Sequence, residues 1–241
     1  MTYLSRLIID LRQREVQRDI ADCHRLHDRL MRAFPAAPSP DNAREHFGVL
    51  FRIEPLGMLP LARLLVQSNR LPDWSALPPA YLGIAPDARG NPAVRSVSEE
   101  YSRITTGLQL RFRLRANPTK KISDRNPTEP AAAHGKRVEL RREADQLAWL
   151  ERKASAHGFQ LVQVQCATET PVLDVRIGDA PKQFGRQGER RLSFGVAIFD
   201  GLLEVADRDA FQHALDHGIG SAKAFGFGLL SIGQITREIR A

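Results

Sequence analysis

A regular alternation of apolar and polar residues runs through residues 108–115. Its apolar positions are Leu108, Leu110, Phe112 and Leu114. The positions between and after them include three arginines, Arg111, Arg113 and Arg115. A period of two is typical of a half-buried β-strand, so one face of this strand is predicted to carry arginines spaced about 7 Å apart. Like charges on one face of a sheet repel, which favours a polyanionic ligand over a plain solvated surface.

A different spacing holds between residues 19 and 34. Apolar residues recur there every third or fourth position, which predicts an amphipathic helix ended by Pro35. His24 and His27 are three residues apart, so they are neighbours on the helix surface at the margin of its apolar stripe. A partly exposed imidazole in such a place can have a pKa near neutrality. Two interfacial histidines without a chemical role remain the alternative.

The remaining segments show weaker patterns of the same kinds. Residues 78–100 are interrupted by proline and glycine and predict an irregular surface segment, and residues 182–191 predict a basic loop. Strands are predicted at residues 2–10, 47–53, 61–68, 136–142, 159–166, 172–177, 192–200, 202–205 and 229–235. Helices are predicted at residues 73–77, 143–157 and 208–217.

The order of these elements predicts the fold class. Strand, helix, strand, strand, short helix and strand follow one another, and much the same order then returns. The chain is therefore predicted to be α+β, with two tandem ferredoxin-like (RRM-like, βαββαβ) domains built on antiparallel sheets. Residues 1–122 form the expected N-terminal domain with the histidine helix. Residues 136–241 form the C-terminal one, and the segment between them is a boundary or a mobile loop.

A glycine-rich stretch lies near the end of the chain. It contains Gly218, Gly220, Gly226 and Gly228, with Lys223 between the two pairs. Glycine allows backbone amides to approach a ligand closely, and an ammonium group beside them suits a phosphate. The spacing matches neither the Walker pattern nor the dinucleotide fingerprint. The simpler alternative is that these glycines end a helix and turn into the last strand.

Composition favours a polyanionic partner. The chain has 241 residues, 35 Lys and Arg against 28 acidic residues, and a formal net charge of +7. Arginine dominates the basic residues, and its planar guanidinium can bind two phosphate oxygens at once. Further basic residues continue the line of the arginine strand. The candidate nucleic-acid contacts are Arg111, Arg113, Arg115, Lys120, Lys121, Lys136, Arg137 and Lys223.

Several classes of protein and site are not supported by the sequence. No apolar run approaches the roughly 20 residues of a membrane span, and the N-terminus lacks the pattern of a signal peptide, so a cytoplasmic protein without membrane contact is expected. Cys23 and Cys166 are isolated, which predicts buried free thiols. No group of histidines and carboxylates has the spacing of a metal site, and no cofactor is expected.

Taken together, blocks along nearly the whole chain resemble the CasE family, the CRISPR repeat-processing endoribonucleases of the type I-E system. They occur in the same order as in that family, from the first strand to the last. The matching blocks are residues 3–7, 26–27, 33–35, 112–118, 148–150, 218–220 and 226–231.

This resemblance implies two ferredoxin-like domains, a CRISPR repeat hairpin RNA as substrate, and membership of the type I-E Cascade complex with its other subunits. The family's catalytic histidine lies on the first helix, and His27 is the residue at that position. The family usually has a tyrosine where this chain has His24, so two imidazoles could divide the roles of base and acid. A non-catalytic RNA-binding scaffold and a small-molecule enzyme remain alternatives.

Overall fold

The computed structural model describes residues 1–39, 42–85, 87, 90–122, 137–165 and 171–235. The first part of the chain forms one antiparallel sheet with helices packed on it. Its elements are β1 (Tyr3–Asp10), α1 (Arg14–Ala21), α2 (Cys23–Met31), α3 (Ala43–His46), β2 (Leu50–Pro55), β3 (Leu61–Ser68), β4 (Ala93–Ser96) and α4 (Ser98–Ser102).

The second part repeats this plan with additional strands and hairpins. Its elements are β5 (Gln109–Ala116), β6 (Thr119–Lys121), β7 (Arg137–Glu139), α5 (Glu143–Ala156), β8 (Phe159–Leu161), β9 (Gln163–Val164), β10 (Val172–Leu173), β11 (Val175–Asp179), β12 (Gln183–Gln187), β13 (Arg190–Phe194), β14 (Ala197–Val205), α6 (Arg208–His217) and β15 (Leu230–Gly233).

Both sheets have the strand order of a ferredoxin-like fold. The first sheet runs β2-β3-β1-β4 and the second β11-β14-β5-β15, with β8 also paired to β14. All of these pairs are antiparallel. In each sheet the first and third strands of the unit are central and the second and fourth lie outside them. The predicted α+β fold with tandem ferredoxin-like units is confirmed.

Strand β5 lies in the second sheet, which differs from the expected division of the chain. It was expected within residues 1–122, but it pairs with β14 on one side and β15 on the other. The fourth strand of the first unit is instead β4, inside residues 78–100, where an irregular segment was predicted. Alternation reveals a half-buried strand without naming its partners, and β4 is too short and exposed to show alternation at all.

The predicted helix over residues 19–34 is two helices. Asp22 interrupts it with extended backbone at φ −133° and ψ 106°, so α1 ends at Ala21 and α2 begins at Cys23. Ile20, Cys23 and Leu26 are spaced three residues apart in the sequence whether or not Asp22 is helical. The apolar spacing alone therefore could not reveal the break. The break matters because it gives α2 its own N-terminus beside the two histidines.

Three further predictions about strands are wrong in detail. The basic loop at residues 182–191 is most of a hairpin formed by β12 and β13. The turn expected at residues 200–201 lies within β14, where a Cβ on Gly201 would stand 2.1 Å from the Asp174 carbonyl oxygen. That glycine therefore permits a close backbone approach rather than a turn. The strand expected at residues 136–142 is only the short β7, paired with β6.

Each sheet covers an apolar core. In the first, Leu26 and Leu30 of α2 pack with Phe51 and Leu64 of the sheet. In the second, α5 and α6 cover the apolar face of β5. Because α2 turns Leu26 and Leu30 towards this core, a neighbouring face of the helix is available for contacts with the glycine-rich stretch.

Candidate active site

The N-terminus of α2 is held by a side-chain cap. The Asp22 carboxylate accepts a hydrogen bond of 3.0 Å from the backbone N–H of His24. It also accepts one of 3.3 Å from the backbone N–H of Arg186 in β12. An aspartate cap satisfies an amide that the first turn of a helix leaves unpaired. The second half of the chain thus fixes the beginning of the helix that carries both histidines.

His27 is a partly buried imidazole with an unusual environment. Its Nδ1 atom is buried and has no hydrogen-bond partner among the residues that the structure describes. Burial lowers the pKa of His27, and the positive charges of His24 and Arg44 lower it further, whereas Asp28 opposes them. Desolvation penalises the charged imidazolium, so His27 is neutral near pH 7 and can accept a proton.

His24 faces the glycine-rich stretch. Its ring centroid lies 5.1 Å from that of Phe225, with the rings tilted by 50°. Phe225 belongs to a short 3₁₀ turn, Lys223–Phe225, which packs on α2. The structure therefore brings the turn that begins at Lys223 against the helix that carries His24 and His27.

The four glycines shape the segment that carries Lys223. Gly218, Gly220, Gly226 and Gly228 all have positive φ angles, between 73° and 91°. The backbone N–H of Ile219 donates to the carbonyl oxygen of Gly228 over 2.9 Å, which closes the segment into a loop. A Cβ on Gly218 would lie 2.8 Å from that same oxygen. The glycines thus permit a closed loop that residues with side chains would not form without strain.

Lys223 and Arg44 are neighbouring cations, and Arg44 also lies near His27. Lys223 is half-buried, and burial followed by the charge of Arg44 lowers its pKa. Burial likewise lowers the pKa of Arg44, whose guanidinium donates a long hydrogen bond of 3.3 Å to the Val49 carbonyl oxygen. Sequence reasoning missed Arg44, because it lies on a four-residue helix without periodicity and far from the other candidates along the chain.

Arg115 is placed differently from the expected solvent-facing RNA contact. Its side chain is buried and donates 2.9 Å to the Gly226 carbonyl oxygen and 3.2 Å to Oε1 of Gln183. Its guanidinium also lies 4.4 Å from the centre of the Phe227 ring. Burial, followed by the charge of Arg52, lowers the pKa of Arg115 to about 10, so it stays protonated near neutral pH.

Arg113 is exposed but faces two carboxylates. Its Nε and Nη2 atoms donate to Asp200 over 2.6 Å and 3.0 Å, and Nη1 donates to Glu54 over 3.2 Å. Hydrogen bonds from Arg113 to Asp200 are the main reason why the pKa of Arg113 is raised. Much of its charge is therefore offset within the protein, which explains how a sheet face tolerates neighbouring arginines.

The other basic candidates lie at the surface and away from α2. Arg111 is exposed on β5, and Lys120 and Lys121 are exposed on β6. Arg137 on β7 pairs with Lys121 in the register of this hairpin. Lys136 lies outside the described residues. Lys120, Lys121 and Arg137 form a basic flank on this hairpin. Contact of any of these candidates with RNA stays a prediction.

Neither a metal cluster nor a membrane-spanning helix is found within the described ranges. No group of three or more histidine, cysteine and acidic side chains there could hold a metal ion. No described helix is long and apolar enough to cross a membrane.

Comparisons with known proteins place this chain in a family. The family model described as CRISPR associated protein matches residues 2–234. The CRISPR-associated endoribonuclease Cse3 of Thermus thermophilus is 33% identical over 231 residues, which cover 95% of this chain and 99% of that protein. The chain belongs to the CasE family of CRISPR-associated proteins. This confirms the resemblance inferred from the sequence.

Other members of the CasE family support the same placement. The CRISPR system Cascade subunit CasE of Escherichia coli K12 is 30% identical over 236 residues, covering 97% of this chain and 100% of that protein. The structure of Thermus thermophilus Cse3 bound to an RNA representing a pre-cleavage complex superposes with a TM-score of 0.72 at 32% identity. That comparison covers 96% of this chain and 98% of the other, so the likeness extends over both sheets.

Proposed function

We propose that this chain is a metal-independent endoribonuclease that binds the hairpin of CRISPR repeat RNA and cuts the precursor into guide RNAs. The observation that carries the proposal is the partly buried His27, whose pKa is lowered by burial and by the nearby cation Arg44, which in turn lies near Lys223. It occurs in a chain that matches, over nearly its full length, a protein named as a CRISPR-associated endoribonuclease.

The chemistry follows from groups that RNA and the protein themselves supply. Neutral His27 takes the proton of the ribose 2′-hydroxyl, and the oxygen attacks the adjacent phosphorus in line. The bond from phosphorus to the 5′-oxygen breaks, which leaves a cyclic phosphate and a 5′-hydroxyl end. That leaving oxygen needs a proton, and His24, one helical turn from His27, is the candidate acid.

Proton transfer contributes only part of the rate. General acid and base catalysis adds typically about 10²- to 10⁴-fold, so charge stabilisation and alignment must supply the rest. Arg44 lies near His27, and Lys223 lies near Arg44. The charge of Glu45 opposes the lowering of both cations' pKa values, but neither cation makes an ion pair with the described residues. They are placed to stabilise the charge that develops on the phosphorane. The exposed Arg111, Lys120, Lys121 and Arg137 are better suited to holding the hairpin.

The enzyme works as a subunit. Its relative in Escherichia coli is named as a Cascade subunit, and we extend that membership to this chain. The RNA product stays bound as the guide RNA of a type I-E surveillance complex, together with the other subunits. The protein acts in the cytoplasm, where CRISPR transcripts are made.

The test is incubation of the purified protein with hairpin RNA from its own CRISPR repeat, in the presence of EDTA, with analysis of the product ends. One cut that leaves a cyclic phosphate, lost in His27→Ala, is the expected result. RNA binding by His27→Ala should be retained, because the basic flank lies elsewhere. Tight binding without a cut by the wild type would favour the scaffold alternative, and a His27→Ala variant that cuts at the wild-type rate would exclude His27 as the base.

A further inference from the structure

Arg115 is a buried cation that touches neither a carboxylate nor open solvent. It is 6% exposed and makes no ion pair with the described residues. Burying a charged group is costly unless hydrogen bonds replace its water. Arg115 recovers part of this cost through the Gly226 carbonyl, the Gln183 amide oxygen and the Phe227 ring. A methionine or leucine would fill the space without the desolvation cost of a buried charge. The guanidinium therefore has a more specific role than packing.

One acceptor of Arg115 belongs to the glycine-rich loop, on the side that faces the histidines. Gly226 directly follows Phe225, whose ring contacts His24. The space at Gly226 is already filled, because a Cβ there would lie 2.9 Å from the Phe51 ring and 3.3 Å from Nη1 of Arg115. The backbone carbonyl of Arg115 also accepts a hydrogen bond of 2.9 Å from the N–H of Gly228. Arg115 therefore holds the loop through both its side chain and its backbone.

The other acceptor connects Arg115 to the catalytic helix. Gln183 accepts from Arg115 with its amide oxygen, and its amide nitrogen donates 3.2 Å to the carbonyl oxygen of Ile20. Ile20 lies two residues before Asp22, the cap of α2. A single glutamine side chain thus joins the guanidinium to the break between α1 and α2, and both ends of its amide are used.

These contacts close a circuit around the N-terminus of α2. In order, its members are His24, Phe225, Gly226, Arg115, Gln183, Ile20 and Asp22. Only a planar donor with several N–H groups can bridge a carbonyl and an amide oxygen while it stacks on an aromatic ring. The circuit sets where the loop with Lys223 stands relative to the two histidines.

We infer that Arg115 and Gln183 are positioning residues, which hold the glycine-rich loop against the N-terminus of α2 and so set the geometry for cleavage. This inference rests on the proposed endoribonuclease function. Neither side chain has to touch RNA. Their loss should slow the chemical step and leave RNA affinity nearly unchanged.

The kinetic test uses Arg115→Met and Gln183→Met in the full chain, with the repeat hairpin in single-turnover assays at saturating enzyme. A misplacement of about 1 Å can cost on the order of 10²-fold in rate, so we expect the cleavage constant to fall by about 10- to 100-fold. Affinity is measured with a hairpin that carries a 2′-deoxy substitution at the cut site. We expect its Kd to change by less than about threefold, since no phosphate contact is removed.

Arg208→Met is the matched control. Arg208 also donates to backbone carbonyls, to Ile104 over 3.1 Å and to Ser102 over 3.4 Å, but it contacts neither the loop nor α2. Its removal should lower thermal stability without changing the cleavage constant of the folded protein. Arg115→Lys adds a test of the fork geometry: it keeps the charge but offers a single donor centre, so cleavage should stay impaired.

An NMR measurement that does not depend on cleavage distinguishes a lost positioning contact from a general loss of structure. Because the Phe225 ring shifts the resonances of the His24 ring, histidine-labelled protein reports their contact by NMR. We expect the His24 signals to move in Arg115→Met and Gln183→Met and to stay in place in Arg208→Met. If Arg115→Met does not fold, Gln183→Met decides the question, because Gln183 is only partly buried.

The outcomes distinguish the proposed function from the positioning role. A wild-type protein that does not cut its repeat RNA overturns the proposed function. The positioning role is overturned if the wild type cuts and both Gln183→Met and Arg115→Met cut equally fast. A loss of RNA affinity in Arg115→Met with an unchanged cleavage constant would make Arg115 an RNA contact and also overturn it.

Discussion

Replacing Gly218 by alanine tests whether the glycine-rich loop must have the backbone seen here. Gly218 has φ 73° and ψ 165°, a region that is essentially restricted to glycine. Forcing another residue into it costs about 1–3 kcal/mol. The new Cβ would also lie 2.8 Å from the Gly228 carbonyl oxygen and 2.8 Å from Cδ2 of Leu50. The oxygen is part of the backbone, so the contact cannot be relieved by a side-chain rotation, and overpacking adds about 1–3 kcal/mol.

We therefore expect Gly218→Ala to lower the free energy of unfolding by about 2–6 kcal/mol, the sum of the two costs. Gly57→Ala is the control, because Gly57 has φ 58° and a Cβ added there would meet nothing within 4 Å. It should cost only the backbone strain of about 1–2 kcal/mol. Urea unfolding of both variants gives the two values, and each kcal/mol should lower Tm by roughly 2–4 °C in a chain of this size. Equal losses for the two variants would refute the argument that Gly218 is needed for close approach.

Four further predictions concern the site and its RNA contacts. Burial lowers the pKa of His27 below 6.5, so loss of cleavage through protonation of this base should begin only below that pH. A cleavage rate that already falls with acidification above pH 6.5 would contradict this. The same lowered pKa should make the free energy of unfolding decrease as pH drops below 6.5, because His27 binds a proton more readily in the unfolded chain than in the folded one. His27→Gln should reduce this decrease, which urea unfolding at several pH values measures. His24→Ala should remove one limb of a bell-shaped rate profile, whereas an unchanged profile would make His24 a bystander. Lys121→Ala should reduce the slope of log RNA affinity against log salt concentration by about 0.7–0.9. Arg113→Ala should reduce it by less, because Asp200 and Glu54 already offset the charge of Arg113. Equal reductions in the two variants would show that Arg113 does not keep these ion pairs when RNA is bound.

The fold class and the helical segment that carries both histidines could be predicted from the sequence. Alternation at residues 108–115 and helical spacing at residues 19–34 depend only on neighbours along the chain. The strand exists as predicted, and the helical segment exists as two helices, α1 and α2. The order of the elements was enough for two ferredoxin-like units. The position of His27 could be chosen because the blocks around it resemble one family over nearly the whole chain.

Tertiary structure decided everything that depends on partners across the sheets. Alternation places Arg111, Arg113 and Arg115 after apolar neighbours, but it cannot show that Arg113 faces Asp200 or that Gly226 and Phe227 cover Arg115. Alternation also cannot show that β5 pairs with β14 and β15 rather than with strands of the first sheet. A local pattern records whether a residue prefers water. Only the packed chain shows which distant carbonyl, carboxylate or ring replaces that water, and that choice makes Arg115 a support for the site instead of an open cation.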